Sequence, residues 1–228
     1  MVAAALQHNV SRAPAPLAGV MLDASAGLAS LDRVGSVVTL GREQALFFEG
    51  DPADCYFKVV TGAVRSCKLL ADGRRHIGDF FLPGDFIGLD AAQNYPFAAE
   101  AVTDATLVRY SRHKVDALAA QEPRIAKSLV ELMRDGLSIA RERMALLGHM
   151  TARERIASFL LNLADRADDA RIDLPMTRTD IGDFLGLTME TVSRTFSQFK
   201  NEGVIKQRGV HEISIIDRTA LEDLAEAR

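Results

Sequence analysis

The sequence of 228 residues is short of cysteine, of net positive charge and of long apolar runs, and each shortage removes a class of protein. Its two cysteines, Cys55 and Cys67, are too few for a disulfide framework or for a four-thiolate zinc or iron–sulfur site within one chain. They read first as small half-buried thiols and second as candidate redox groups. No stretch approaches the ~20 apolar residues of a membrane span. The Ala-rich start carries Pro14 and Pro16 but no cationic segment running into an apolar core, so no secretory signal is read there. The expectation is a cytoplasmic protein without a membrane partner, with a flexible arm over residues 1–29. A net charge of −4 and a pI near 5.8 give no general attraction for nucleic acid, so any such binding must come from one local face. Also missing are a Gly-rich phosphate loop opening a helix, a nucleophile elbow, a metal-spaced His/Glu pair and paired carboxylates. Neither enzyme activity nor a metal site is expected.

What is present divides by periodicity. A 48% hydrophobic share with 25% charged residues suits one large or two modest domains with real cores. From about Val34 to Arg109, β-rich runs such as Val37–Leu40, Tyr56–Val60, Ala63–Cys67 and Thr106–Val108 alternate with glycine-containing turns. Gly50, Gly62, Gly73 and Gly84 recur at the spacing of a strand plus a turn, which predicts an all-β roll over residues 30–120. Beyond Arg109 the pattern turns helical. Pro123 suits a first helical turn, and Ile125, Leu129, Leu132, Gly136, Ile139, Arg143 and Leu146 follow alternating four- and three-residue steps. That seam predicts a dimerisation helix over residues 121–148 with Ile125, Leu129, Leu132, Ile139 and Leu146 at the interface; a single helix packed on its own β-domain is the alternative. A further helix from Ala152 leads into a polar link at Asp165–Asp173.

Residues 149–228 carry the motif with chemistry in it. Thr177 and Asp180 have the spacing of a capping box opening a short helix, Gly186 breaks that helix, and Thr188 can cap the next. Gly182, Gly186 and Val192 fall where two helices crossing through a tight turn need a small contact, a positive φ and a core anchor. The helix from Met189 to Asn201 would bury Val192, Phe196 and Phe199 and turn Glu190, Ser193, Arg194 and Ser197 outward. Glu190 and Arg194 stand four apart, either as a surface ion pair or as base readers, since a carboxylate accepts from cytosine N4 and Arg grips guanine O6/N7. Val204–Ile205, a turn at Arg208–Gly209 and Ile213–Ile216 form a hairpin suited to a wing. Between Gly186 and Val210, Arg194, Lys200, Lys206 and Arg208 outnumber Glu190 and Glu202, which favours phosphate. Arg178, Thr188, Thr191, Lys206 and Arg208 are the candidates for DNA-backbone contact.

A glycine-punctuated β-roll, a long helix and a winged helix-turn-helix, with the run from Asp180 to Arg194, resemble the CRP/FNR family of bacterial regulators over about Val34 to Ala225. The fold expected is α+β: a cyclic-nucleotide-binding-like jelly roll, a dimerisation helix and a winged helix-turn-helix. Glu190, Ser193 and Arg194 are similar to the recognition helix of the FNR and FixK types; CRP-type members carry an extra Arg where this chain has Met189. The resemblance implies a homodimeric activator that reads the palindrome TTGAT-N4-ATCAA in double-stranded DNA with those three residues, and that contacts RNA polymerase. Gly84-Asp85-Phe86-Ile87-Gly88 looks like the start of the nucleotide cassette, and Gly84 to Asp90 is similar to an activating loop. Where the family's phosphate-binding Arg-Ser pair belongs, this chain has Tyr95-Pro96 followed by Phe97, which argues against cyclic AMP. FNR-type members hold an iron–sulfur cluster on N-terminal cysteines that are lacking here. The resemblance is best to the FixK-like subgroup, which lacks the cluster and is often active without a small ligand. The alternative is a regulator of the same fold sensing gas or redox state through haem, with His76 as the candidate axial ligand, or through Cys55 or Cys67.

Overall fold

In the computed structural model, which describes residues 28, 31, 33–147, 150–167, 169–209 and 211–226 (side chains at 142, 143 and 145–147 excepted), the β-rich half forms eight strands. These are β1 (Gly35–Leu40), β2 (Ala45–Phe47), β3 (Cys55–Thr61), β4 (Val64–Leu69), β5 (Arg75–Phe81), β6 (Phe86–Ile87), β7 (Ala98–Ala101) and β8 (Ala105–Ser111). They pair antiparallel in two four-stranded sheets, ordered β1-β8-β3-β6 and β2-β7-β4-β5, the arrangement of a jelly roll. Alanine is a weak strand former, so β7 has no periodic signal of its own. Its place is set by pairing with β4, Val64 opposite Ala101 and Cys67 opposite Ala98, where small side chains let the sheets close over Ala99 and Ala101. Gly62 shows why the turns need glycine: its φ is +79°, and a Cβ there would stand 2.2 Å from the Asp104 carbonyl oxygen.

The interior of the roll is filled by its own side chains. Phe57, Val59, Val64, Ile87 and Leu107 meet Tyr95, whose ring stacks on Phe47 at 3.6 Å and whose hydroxyl donates to the Cys55 carbonyl at 2.7 Å. Arg112 donates from Nη2 to the carbonyls of Gly88 (2.8 Å) and Ala91 (2.6 Å) and from Nη1 to that of Ala92 (3.1 Å), closing the loop between β6 and β7.

Two helices follow the roll, α1 (Arg112–Gln121) and α2 (Pro123–Leu147). Here the expected dimer seam needs correction. Ile125, Leu129 and Leu132 are buried within their own chain, against Tyr110, Val115, Leu28 and Leu31, and Ile139 is buried too. A heptad pattern marks an apolar stripe and is silent on what covers it. Among the described side chains the large apolar residues left open on α2 are Val130 (50% exposed), Met133 (44%), Leu137 (51%) and Met144 (72%), themselves spaced as a seam. The side chain of Leu146 lies outside the described residues. So does nearly all of the expected arm over 1–29, except that Leu28 at its end is buried rather than loose.

The C-terminal part contains α3 (Ala152–Ala167), β9 (Arg171–Asp173), α4 (Arg178–Leu185), α5 (Met189–Asn201), β10 (Ile205–Arg208), β11 (Glu212–Ile215) and α6 (Arg218–Glu226). The stretch expected as a polar link holds β9, which joins the hairpin in a sheet ordered β10-β11-β9, because Ile172 is buried opposite Ile213. Helix α4 starts with a complete capping box: the Thr177 hydroxyl accepts from the Asp180 N–H at 3.1 Å, and Asp180 Oδ2 accepts from the Thr177 N–H at 3.0 Å. It ends at Gly186, whose φ of +67° only glycine takes without cost. The chain then folds back so closely that a Cβ on Gly182 would stand 2.7 Å from the Leu187 carbonyl oxygen. Gly182→Ala must therefore push α5 away from α4. We expect it to lower stability by about 1–3 kcal/mol, the usual cost of overpacking, seen as a lower midpoint of denaturant unfolding.

Candidate nucleic-acid interface

Helix α5 owes its orientation to four buried residues, Val192, Thr195, Phe196 and Phe199, which seat it on the core shared by α3, α4 and the hairpin. The opposite face is open. Glu190, Arg194 and Ser197 are exposed and Ser193 is half-buried, so the three residues expected to read bases lie on one accessible surface. The Ser193 hydroxyl lies 3.8 Å from the Met189 sulfur, and that of Ser197 donates to the Ser193 carbonyl at 2.9 Å. Among the described residues no ion pair joins Glu190 to Arg194. Instead the carboxyl of Glu190 is held below its usual range by its own backbone N–H and by the Thr188 hydroxyl. The reading of this pair as a mere surface salt bridge therefore has no geometry behind it.

The residues expected at the phosphates have separate local duties. Thr188 caps α5 by accepting from the Thr191 N–H at 3.2 Å, and the two hydroxyls lie 3.1 Å apart, so both are already oriented at the helix N-terminus. Arg178, first residue of α4, lies with its guanidinium carbon 3.6 Å from the centre of the Phe196 ring. Burial pushes its pKa down to about 10, and its Nη2 has no hydrogen-bond partner among the described residues. That Nη2 is itself buried, so Arg178 holds a stacked cation at the start of α4 and not an open donor. Lys206 and Arg208 stand exposed on β10 beside the turn at Gly209, on the wing.

The α4–α5 unit is fastened on its far side. Arg153 makes a bidentate pair with Glu202 (2.9 and 2.8 Å), and Arg155 donates to the Leu185 carbonyl at 2.9 Å. Phe184 of α4 meets Phe80 of β5 at 5.3 Å and Phe159 of α3 at 5.9 Å, so a single apolar core runs from the winged unit into the roll. Charges cross the same boundary. Arg65 of β4 reaches Asp180 at 2.9 Å, Arg75 of β5 reaches Asp180 at 2.6 Å and Asp183 at 2.9 Å, and Arg166 of α3 pairs with buried Asp85 at 2.7 Å. No local spacing in the sequence marks this network; its one trace there is the Arg inside the run Ala63–Cys67.

The remaining sequence candidates stand apart from this surface. Asp85 and Ile87 of the expected activating loop are buried, and Asp90 is the exposed acidic group there. His76 is exposed on β5, 6.4 Å from the Phe97 ring. Cys55 and Cys67 are free and half-buried; the Cys67 thiol is pushed up to about 11 by burial and by Glu100, whose Oε1 lies 3.6 Å away. Arg65 next to it cannot reverse that shift, because it is already spent on carboxylates. Among the described residues no group of His, Cys, Asp and Glu is arranged for a metal, and no helix is long and apolar enough to cross a membrane.

Comparison with known proteins matches the two halves separately and together. The cyclic nucleotide-binding domain matches residues 37–122 and the Crp-like helix-turn-helix domain residues 154–224. The nitrogen fixation regulation protein FixK of Azorhizobium caulinodans is 40% identical over 213 residues, covering 90% of this chain and 86% of its own length. The transcriptional activator protein FnrL of Cereibacter sphaeroides is 35% identical, covering 83% and 80% respectively. Among solved structures, FixK2 from Bradyrhizobium japonicum superposes with a TM-score of 0.82 at 40% identity, covering 86% of this chain and 99% of its own.

Proposed function

Because the chain belongs to the CRP/FNR family of DNA-binding transcription activators and is FixK-like within it, we propose that it binds the palindrome TTGAT-N4-ATCAA as a homodimer and without a small-molecule effector. The observation that carries this reading is the open face of α5, where Glu190, Ser193 and Arg194 stand together while the other side of the helix is locked into the core. Arg194 takes guanine through O6 and N7, Glu190 accepts from cytosine N4, and Ser193 adapts to either edge. Arg178, Thr188 and Thr191 at the two helix N-termini, with Lys206 and Arg208 on the wing, meet phosphates and set the register. The exposed Lys206 and Arg208 on the wing and the exposed Thr188 at the start of α5 support that role. The chain acts in the cytoplasm, where it meets DNA and RNA polymerase, and like its named relatives it is a regulator and not an enzyme.

Val130, Met133, Leu137 and Met144 supply the dimer contact, since an exposed apolar stripe on a long helix is best covered by its own copy. The twofold then places two α5 helices in successive major grooves about 34 Å apart. Effector independence is supported from inside the roll: Tyr95, standing where the family's phosphate-binding pair belongs, stacks on Phe47 and donates to the Cys55 carbonyl, so that place offers no cation. An iron–sulfur cluster lacks the cysteines, the expected haem ligand His76 is exposed on β5, and burial pushes the Cys67 thiol up, away from a reactive thiolate.

Titration of the purified, aerobically handled protein against a labelled TTGAT-N4-ATCAA duplex and a scrambled control, at fixed salt with nothing added, is expected to show binding at least ~10³-fold tighter to the palindrome. Equal binding to both would sink the reading. Arg194→Ala should cost about 1–3 kcal/mol on the palindrome and lose discrimination at a single guanine-containing step, measured against duplexes substituted one base pair at a time. Leu137→Asp should yield folded monomers by analytical ultracentrifugation, whereas Leu132→Asp should unfold the junction of α2 with the roll; a dimeric Leu137→Asp protein would put the contact elsewhere.

A further inference from the structure

We propose that Arg65 is a positioning residue for DNA binding: acting through Asp180, it fixes the helix-turn-helix to its own β-roll, so that the roll sets the separation of the two reading helices. The proposal rests on the dimeric, palindrome-binding reading above. Arg65 is almost fully buried on β4, and each arm of its guanidinium is engaged. Nε donates to Glu100 at 2.7 Å, Nη2 to Glu43 at 2.7 Å, and Nη1 to Asp180 at 2.9 Å across a sequence separation of 115 residues. Asp180 is equally buried and divides its carboxylate between two tasks. Oδ1 takes Arg65 and also Arg75, at 2.6 Å, while Oδ2 closes the capping box that starts α4. The group that initiates the first helix of the DNA-binding unit is thus the group that ties it to the roll.

The surroundings show a built junction and not a chance contact. Glu43 is the one non-glycine residue with positive φ among those described, at 63°, and that strained backbone holds the residue whose carboxylate reaches Arg65. Asp183, one turn along α4, takes Nε of Arg75 at 2.9 Å, and Phe184 closes on Phe80 beside it. Helix α4 is therefore gripped along one side by β4 and β5, and only Gly186 to Thr188 separate it from α5. Rotation of α5 against the roll would have to strip a buried guanidinium of a carboxylate. None of these groups lies among the expected base or phosphate contacts, so loosening them leaves the chemistry of a half-site intact.

That separation defines the test. Full-length wild type, Arg65→Gln and the milder rim variant Asp183→Asn are titrated against duplexes with half-sites three, four, five or six bases apart, and against a single half-site. Wild type should favour the four-base spacing by at least about ten-fold, since both heads engage only when geometry permits. Arg65→Gln should bind the single half-site like wild type yet spread its affinities across the spacings within about three-fold, with Asp183→Asn intermediate and Arg65→Lys partly restored. An unchanged spacing profile in folded Arg65→Gln and Asp183→Asn overturns the proposal, and so does tighter binding to the four-base site, which would make the tie an inhibitor. Should wild type itself treat palindrome and half-site alike, the dimeric reading fails first, and visibly so.

Discussion

The structure depends on a carboxylate shared between helix initiation and domain attachment. Asp180 closes the capping box of α4 with one oxygen and receives Arg65 and Arg75 with the other. Everything on the DNA side hangs from it: α4 sets α5 through the tight contact of Gly182 with Leu187, α5 sets Glu190 and Arg194, and the hairpin packs behind them on the same core. Everything on the roll side leads to it as well, because β4 and β5 are paired to each other and β4 to β7, and the filled interior holds the sheets apart at fixed distance.

Such a junction is a poor source of net stability and a good source of definition. Burial alone would lower the pKa of Arg65, but Glu100, Asp180 and Glu43 outweigh that and hold it above its ordinary value, so the charge is well compensated. Replacing a whole buried ion cluster by apolar groups is often neutral, while removing one member costs about 3–5 kcal/mol. The asymmetry penalises every orientation of the winged unit except the one that satisfies all partners. An apolar contact such as Phe80 against Phe184 tolerates small rotations; a guanidinium with three carboxylates does not. Asp85 with Arg166 adds a second such constraint at the other end of the boundary, and there burial pushes the Asp85 carboxyl up despite the Arg.

What could be read in the sequence was what local spacing encodes. The helix-turn-helix was legible residue by residue, because capping, the positive φ of Gly186 and the close approach at Gly182 are fixed within a few positions of one another. The roll was legible as a rhythm of turns, although β7, made of alanines, and β9, hidden in a polar stretch, are strands only because partners pair with them. The seam of α2 was legible as apolar and misread as to its partner: Ile125, Leu129 and Leu132 face their own roll, and the stripe one step round the helix is the open one. The tie between Arg65 and Asp180 was not legible at all, since no spacing rule links a strand residue to a helix cap 115 positions away.

In the proposed effector-free reading the burden falls on the roll's own packing and on its tie to α4. Tyr95 stacks on Phe47 inside the roll and Arg112 holds the carbonyls of Gly88, Ala91 and Ala92, while β4 and β5 hold α4 through Arg65 and Arg75. In the proposed reading the conformation that presents α5 is therefore the resting one, and activity follows the amount of protein made. Cys67 lies on the same strand as Arg65 and against Glu100; burial first, and then the carboxylate that steadies the arginine, push its thiol up. The same Glu100 thus binds the arginine of the tie and adds to the upward shift of the thiol beside it.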